Sequence, residues 1–292
     1  MRTPEVKAFF DEATFTVSYV VCDSDTGIAA IIDPVLDYDP KSGEITTRSA
    51  DAILTFVRDN SLKVAYVRET HAHADHLTAA AYLKAKTGGR IGIGARIGDV
   101  QKVFRARFNL SDISGEGTEF DDLFKDGARR ALGNLTIEVL HTPGHTPACV
   151  TYLIGDAAFV GDTIFMPDYG TARTDFPGGD TRALYRSIQR IFALTDHTRL
   201  FMCHDYKPAG RAHYAWETSV ADQRANNIQV HRGISEASFV AMRQARDKTL
   251  PPPALLLPSI QINIRAGALP PAESNGTRYL KIPLTVPASF GL

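Results

Sequence analysis

Thr70-His71-Ala72-His73-Ala74-Asp75-His76 places three histidines and a carboxylate within seven residues, directly after the apolar run Val64-Ala65-Tyr66-Val67. Neutral imidazole and carboxylate are the side chains that Zn(II), Fe(II) and Mn(II) favour. A single histidine is by default a satisfied core or surface residue. Four ligand-type side chains in His-x-His-x-Asp-His order are a different matter, because few other demands on a chain concentrate them in this way. The stretch reads as a metal site at the end of a buried strand.

The rest of the chain is that of an ordinary globular protein. Its 292 residues allow one large domain or two modest ones, and 44% apolar with 22% charged residues suits a packed core. A formal net charge of -1 and the absence of a Lys/Arg-rich run give no pull toward nucleic acid or an anionic membrane. No apolar run approaches the length a bilayer needs, and the charged first fourteen residues lack a signal-peptide core. Cys22, Cys149 and Cys203 are odd in number and form no Cys-x-x-Cys, which fits reduced thiols and a cytoplasmic location. Cys203, beside His204, reads as a buried strand thiol.

Periodicity predicts strands over residues 15–22 and 28–32, joined by the turn Asp23-Ser24-Asp25-Thr26-Gly27. A helix is expected from about Ser49, with Ile53, Leu54 and Val57 at helical spacing, then a strand over 62–67 and a helix over 76–86 stopped by Gly88-Gly89. Strand, helix and strand follow around Ile91, Val100-Phe104 and 135–140, then paired buried strands over 150–154 and 157–160. Residues 182–194, 215–226 and 236–248 read as helices and 200–203 as a short strand. The proline- and glycine-punctuated tail from Ala254 is expected to pack as an appendage.

Ligand-type residues recur at the carboxyl ends of these strands. Residues 64–67 lead into His71, His73, Asp75 and His76; 135–140 into His141-Thr142-Pro143-Gly144-His145; 157–160 into Gly161-Asp162; and 200–203 into His204-Asp205-Tyr206. In α/β sheets the loops at one strand edge converge on a crevice, so four separated segments can meet at one point.

In type and order, His71, His73, Asp75, His76, His145, Asp162 and His204 resemble the metallo-β-lactamase superfamily. The resemblance covers roughly residues 6–226 and implies a four-layer αββα sandwich. It predicts a catalytic domain over residues 1–230 and a C-terminal extension over 231–292 packing on it. His141-Thr142-Pro143-Gly144-His145-Thr146-Pro147 and Gly170-Thr171-Ala172-Arg173-Thr174-Asp175-Phe176 resemble the persulfide dioxygenase branch, related to glyoxalase II. The departures are Thr171-Ala172, where that branch often has Cys-Gly, and a longer C-terminal region. Its members imply one Fe(II) per chain held by His71, His145 and Asp162, with His73, Asp75, His76 and His204 orienting ligands and ordering water. Two His and one carboxylate leave positions for a thiol-type substrate and O2 side by side. The implied reaction oxidises glutathione persulfide with O2 to sulfite and glutathione.

Glyoxalase II relatives imply instead two Zn or Fe ions shared by all seven residues and hydrolysis of a glutathione thioester. A third reading is a non-catalytic, metal-dependent persulfide sensor. Because a glutathionyl group carries carboxylates, the mouth should hold cations and hydroxyls. Arg173 and Tyr206 are the first candidates for substrate binding, followed by Lys207, Arg211 and Arg265. Arg173 should pair with Asp175 or with a substrate carboxylate, and Thr146 should brace the His145 loop or serve its turn. The tail is expected to contribute to a homodimer and to bring Arg265 near the pocket mouth.

Overall fold

The computed structural model describes residues 3–287 and 289, so the ends of the predicted extension and the first two residues lie outside the described part. In chain order the first half runs β1 (Glu5–Asp11), β2 (Thr16–Asp23), β3 (Ile28–Ile32), β4 (Val35–Tyr38), β5 (Ile45–Thr46), α1 (Arg48–Asp59), β6 (Lys63–Arg68), β7 (Leu77–Thr78), α2 (Ala80–Thr87), β8 (Arg90–Gly94), α3 (Ile97–Phe108) and β9 (Asp122–Phe124). The second half runs β10 (Arg129–Leu132), β11 (Leu135–His141), β12 (Val150–Ile154), β13 (Ala157–Phe159), α4 (Thr181–Phe192), β14 (Arg199–Phe201), β15 (Glu217–Ser219), α5 (Val220–Asn226), α6 (Glu236–Asp247) and α7 (Leu256–Asn263). A 3-10 turn at Gly161–Thr163 follows β13.

Alternation along the strands builds the layers. In β2, Val17, Tyr19 and Val21 face one apolar cluster while Val20 and Cys22 face another. In β13, Ala157 and Phe159 join the former cluster and Ala158 a third. A strand sends successive side chains to opposite faces, so strands apolar at every position must be covered on both sides. The shared middle cluster is the seam between two six-stranded sheets, ordered β1-β2-β3-β6-β8-β9 and β10-β11-β12-β13-β14-β15. Outside the first sheet, α1, α2, α3 and α7 bury Ile53, Leu83, Phe104 and Ile260; outside the second, α4, α5 and α6 bury Leu184, Val220 and Phe239. This is the four-layer αββα sandwich of a metallo-β-lactamase fold.

Several elements differ from the periodicity reading, among them the short strands β4, β5, β9 and β10 that it did not contain, and three of the differences have a plain tertiary reason. The helix expected over 76–86 starts only at Ala80, because Leu77 and Thr78 pair with Leu36 and Val35 of β4. It ends as expected at Gly88, whose left-handed backbone (φ 75°) lets its N–H close on the Lys84 carbonyl. Residues 215–226 divide into β15, which extends the second sheet beside β14, and α5, capped by Ser219. β1, absent from the sequence reading, pairs along its whole length with β2. The tail is also more ordered than an appendage, since α7 inserts Ile260 and Ile262 into the first outer core.

All four ligand-bearing segments leave their strands at one edge. β3 and β6 run parallel, as do β13 and β14, so Asp33 emerges beside Thr70 and Gly161 beside Met202, and β11, two antiparallel steps from β13, delivers the His145 loop at the same edge. No helix among the described residues is long and apolar enough to cross a membrane.

A chain ending at Asn226 would uncover the apolar faces that Phe239, Ile260 and Ile262 now occupy. Large uncovered apolar patches drive association. Size-exclusion chromatography should therefore show aggregation, and thermal melting a lowered midpoint; a soluble, monomeric truncate with an unchanged midpoint would refute the packing role.

Candidate metal centre

Asp33 organises the loop after β6. It follows β3 in the left-handed region (φ 48°), which a short polar side chain tolerates better than most. One carboxylate oxygen accepts from the Thr70 backbone N–H (2.7 Å) and from His73 Nε2 (3.0 Å). The other accepts from the Thr70 hydroxyl (2.8 Å) and the Cys203 thiol (3.6 Å). Glu69 adds a second carboxylate 3.2 Å from His73 Nε2. Opposite, Gly161 (φ 52°) lies against Thr70, where a Cβ would come within 2.5 Å of the hydroxyl, so Asp162 can approach His71 only because residue 161 has no side chain.

Five imidazoles then show one arrangement. His71 Nδ1 meets the Thr70 hydroxyl at 3.0 Å, and that hydroxyl already donates to Asp33, so it accepts from the ring. His73 donates Nε2–H to Asp33, His145 donates Nδ1–H to the Arg173 carbonyl (2.8 Å), and His204 donates Nδ1–H to the Phe15 carbonyl (3.3 Å). His76 Nδ1 lies between the Thr16 hydroxyl (3.3 Å) and the Asp75 carboxylate (3.4 Å). A ring nitrogen that donates to an oxygen leaves the other as a lone pair. Those other nitrogens include His71 Nε2, His73 Nδ1, His76 Nε2 and His204 Nε2, which are buried without a hydrogen-bond partner, as is Asp162 Oδ1.

Lone pairs buried together without a donor are costly, and a cation resolves the cost. His71, His145 and Asp162 form one group able to hold an ion, and His73, Asp75, His76 and His204 a second. Asp162 lies between them. Its Oδ2 is 3.9 Å from His71 Nε2 and 3.8 Å from His145 Nε2, while its Oδ1 is 3.3 Å from His204 Nε2. The residues therefore fit a metal centre.

Burial, aided by the neighbouring His73 and His145, holds His71 well below the ordinary imidazole range, so it is neutral and ready to ligate. Burial would lower His73 too, but Asp33 and Glu69 more than reverse it, so this ring gives up its Nδ1 proton only when a cation takes its place. Burial likewise pushes Asp75 upward, and His204 and His76 outweigh it to hold the carboxylate ionised. Burial raises the Cys203 thiol well above its usual value, so it is an uncharged neighbour.

The residues expected to meet substrate are placed differently from one another. Tyr206 stacks on His204 (ring centroids 5.5 Å apart, 18° between planes) and touches Phe15, Phe165 and Tyr169, forming an aromatic wall beside the metal centre. Its hydroxyl is held neutral by burial and by Asp75 and Asp162. Arg173 engages Asp175 through Nε (2.6 Å) and Nη2 (2.7 Å), and the Pro251 carbonyl through Nη1 (2.7 Å). Arg211 pairs with Asp205 and Asp168, and Arg265 is buried against Asp112. Lys207 lies 4.7 Å over the Tyr214 ring. Thr146 makes bonds local to its turn, to Cys149 and the Ala148 N–H. Asp33, Thr16 and Asn263 escaped the sequence reading. Of these only Asp33 carried a signal, a carboxylate directly after the apolar run 28–32.

The chain belongs to the metallo-β-lactamase superfamily, whose sequence profile matches residues 11–204. Within it, the chain is 53% identical to a probable metallo-hydrolase of Burkholderia pseudomallei over 96% of this chain and 98% of that one. It is 44% identical to glyoxylase B2 of Dictyostelium discoideum, over 96% and 97% of the two chains. A beta-lactamase hydrolase-like protein of Agrobacterium fabrum is 53% identical over 97% of this chain, which spans only 65% of that protein's length. The crystal structure of ETHE1 from Myxococcus xanthus matches with a TM-score of 0.72 at 29% identity, covering 90% of this chain and 100% of that one. The human mitochondrial persulfide dioxygenase ETHE1 is 26% identical over 91% of this chain and 90% of its own.

Gly144 (φ 146°) holds the His145 turn against α4, where an added Cβ would sit 2.4 Å from both Leu184 N and Leu184 Cα. Gly144→Ala should therefore push His145 away from Asp162, with a stability loss of about 1–3 kcal/mol for the overpacking. Metal titration and thermal melting should show weaker binding and a lower midpoint together; unchanged binding would mean that the turn does not position His145.

Proposed function

We propose that the protein is a persulfide dioxygenase working with one Fe(II) held by His71, His145 and Asp162. The observation that carries this reading is the orientation of Asp75. Its Oδ2 faces Nδ1 of His76 (3.4 Å) and Nε2 of His204 (3.1 Å). With that oxygen set against two imidazole nitrogens, Asp75 reads as a group that orients His76 and His204. In the His71, His145 and Asp162 group, Asp162 Oδ2 stands 3.9 and 3.8 Å from the two Nε2 atoms, a spacing open to a shared ion. The likeness to ETHE1 along nearly the whole chain supports the same assignment.

Bound there, Fe(II) would supply adjacent open positions for a persulfide sulfur and O2. The chain's own residues do the rest. The Arg173 carbonyl fixes the tautomer and tilt of His145, and the Thr70–Asp33 pair does so for His71. Phe165, Tyr169 and Tyr206 screen one side of the centre from water, which strengthens the electrostatic interactions within it. The overall reaction balances as glutathione persulfide plus O2 plus water giving glutathione, sulfite and two protons.

Hydrolysis of a glutathione thioester at a dinuclear centre is the second reading. Its support is the Asp162 carboxylate, which reaches His71 and His145 with one oxygen and His204 with the other, together with the 44% identity to glyoxylase B2. A metal-bound hydroxide is what that chemistry needs.

Protein purified anaerobically should contain one iron per chain and consume O2 with release of sulfite when given glutathione persulfide. His145→Ala should lose both iron and activity, because a single His and carboxylate hold Fe(II) weakly. Two zinc ions per chain in a preparation fully active on a thioester would favour the hydrolase instead. Arg173→Lys separates the roles of that residue. With its fork already engaged by Asp175 and Pro251, the expected result is a lower melting midpoint and unchanged KM, since Lys cannot copy a planar bidentate pair. A raised KM with iron and stability intact would instead mark a direct contact with a substrate carboxylate.

A further inference from the structure

The C-terminal extension over residues 231–292 touches both loops of the metal centre through α6 and α7. Asn263, buried at the end of α7, donates through Nδ2 to the His73 carbonyl (2.8 Å) and to the His76 carbonyl (2.8 Å). Its Oδ1 accepts from the Thr78 N–H (2.9 Å). One planar carboxamide thus spans the turn that presents Asp75 and ties its two ends to each other. These contacts bridge 185 to 190 positions of the chain.

A second clamp from the same segment holds the opposite loop. Asp247, at the end of α6, accepts from both the Thr174 N–H and its hydroxyl (each 2.9 Å). Buried Arg243 steadies that carboxylate through Nε (2.8 Å) and reaches the Thr171 carbonyl (3.1 Å). Between Thr171 and Thr174 lies Arg173, whose carbonyl receives His145 Nδ1–H. The Pro251 carbonyl, between α6 and α7, holds the Arg173 guanidinium.

We propose that Asn263 and Asp247 are positioning residues through which the C-terminal segment sets the metal affinity of the centre, one acting on the His73–His76 turn and the other on His145. The geometry gives the reason. Hydrogen bonds to ligating loops hold lone pairs in register before the ion arrives, so that binding does not have to order them. The inference rests on the centre holding a metal and not on which reaction it carries out.

The test uses the full chain stripped of metal and titrated with Zn(II) alone against a chromophoric chelator. Zn(II) binding by the parent chain checks the centre, and the ratio of variant to parent checks the clamps. Asn263→Ala should weaken Zn(II) by about 10–100-fold, the usual effect of losing a group that orients ligands. Asn263→Asp keeps the shape and the bond to Thr78 but has no donor for the two carbonyls, and should weaken Zn(II) similarly if the alanine variant does not fold. Asp247→Asn should do the same through His145. Gln261→Ala is the control: it breaks the tether of Gln261 to Lys281 without touching either loop, so it should lower the melting midpoint and leave Zn(II) affinity unchanged. Folded Asn263 and Asp247 variants binding Zn(II) within about twofold of the parent would overturn the proposal, because a merely structural role moves stability and not affinity. So would a Gln261→Ala chain whose affinity falls as far as theirs.

Discussion

Five imidazoles and the Asp162 carboxylate converge on one buried volume, and hydrogen bonds on their far sides decide what they present there. Each ring gives its N–H to an oxygen of the scaffold or lies within reach of one, so the inner nitrogens carry lone pairs. Without a cation this is a set of like dipoles in a low-dielectric space, where repulsion is strongest. The fold carries that cost at the edge of two sheets joined by a large apolar seam. Tyr152, at 0% exposure in the seam between the sheets, even donates to the Glu69 carbonyl at the start of the ligand loop.

Asp33 makes the clearest link between scaffold and chemistry. Its carboxylate gathers a backbone N–H, a hydroxyl, a thiol and an imidazole from two loops. A buried carboxylate is tolerable only when its lone pairs are filled, and here the donors that fill them belong to the centre itself. The same logic explains the arginines around the edge. Arg173, Arg211, Arg243 and Arg265 each meet an aspartate, and each pair fixes a loop or a helix end. Cations that a sequence presents as a substrate-facing set are thus engaged mainly with the protein's own carboxylates. Tyr206 lies flat against His204, beside the metal groups.

Much of the molecule was legible in residue order alone. The ligand cluster at 71–76 is local, so seven consecutive positions were enough to recognise it. Strands such as 150–154 are apolar on both faces, and the helix of 182–194 repeats at 3.6 residues, so neither needs knowledge of its neighbours. Even the convergence of His145, Asp162 and His204 followed from strand ends sharing one sheet edge. Elements whose state depends on a partner were not legible. Residues 77–78 have a helical pattern, yet β4 offers them a ladder. The charged positions of 5–11 obscure an alternation that only β2 reveals.

The side chains that aim the ligands divide in the same way. The identities of the seven ligand-type residues are a property of the sequence, because metal-binding chemistry restricts residue type and their spacing follows from strand and turn lengths. Which nitrogen each imidazole presents is not, since it depends on acceptors such as the Phe15 and Arg173 carbonyls that lie far along the chain. Asn263 and Asp247 carry no mark in the sequence at all: an asparagine in an apolar helix and an aspartate at a helix end are ordinary residues until packing brings them to the ligand loops. Composition and order determined what could bind. Tertiary packing decided where each lone pair points, because a hydrogen bond is directional and its acceptor is supplied by another part of the fold.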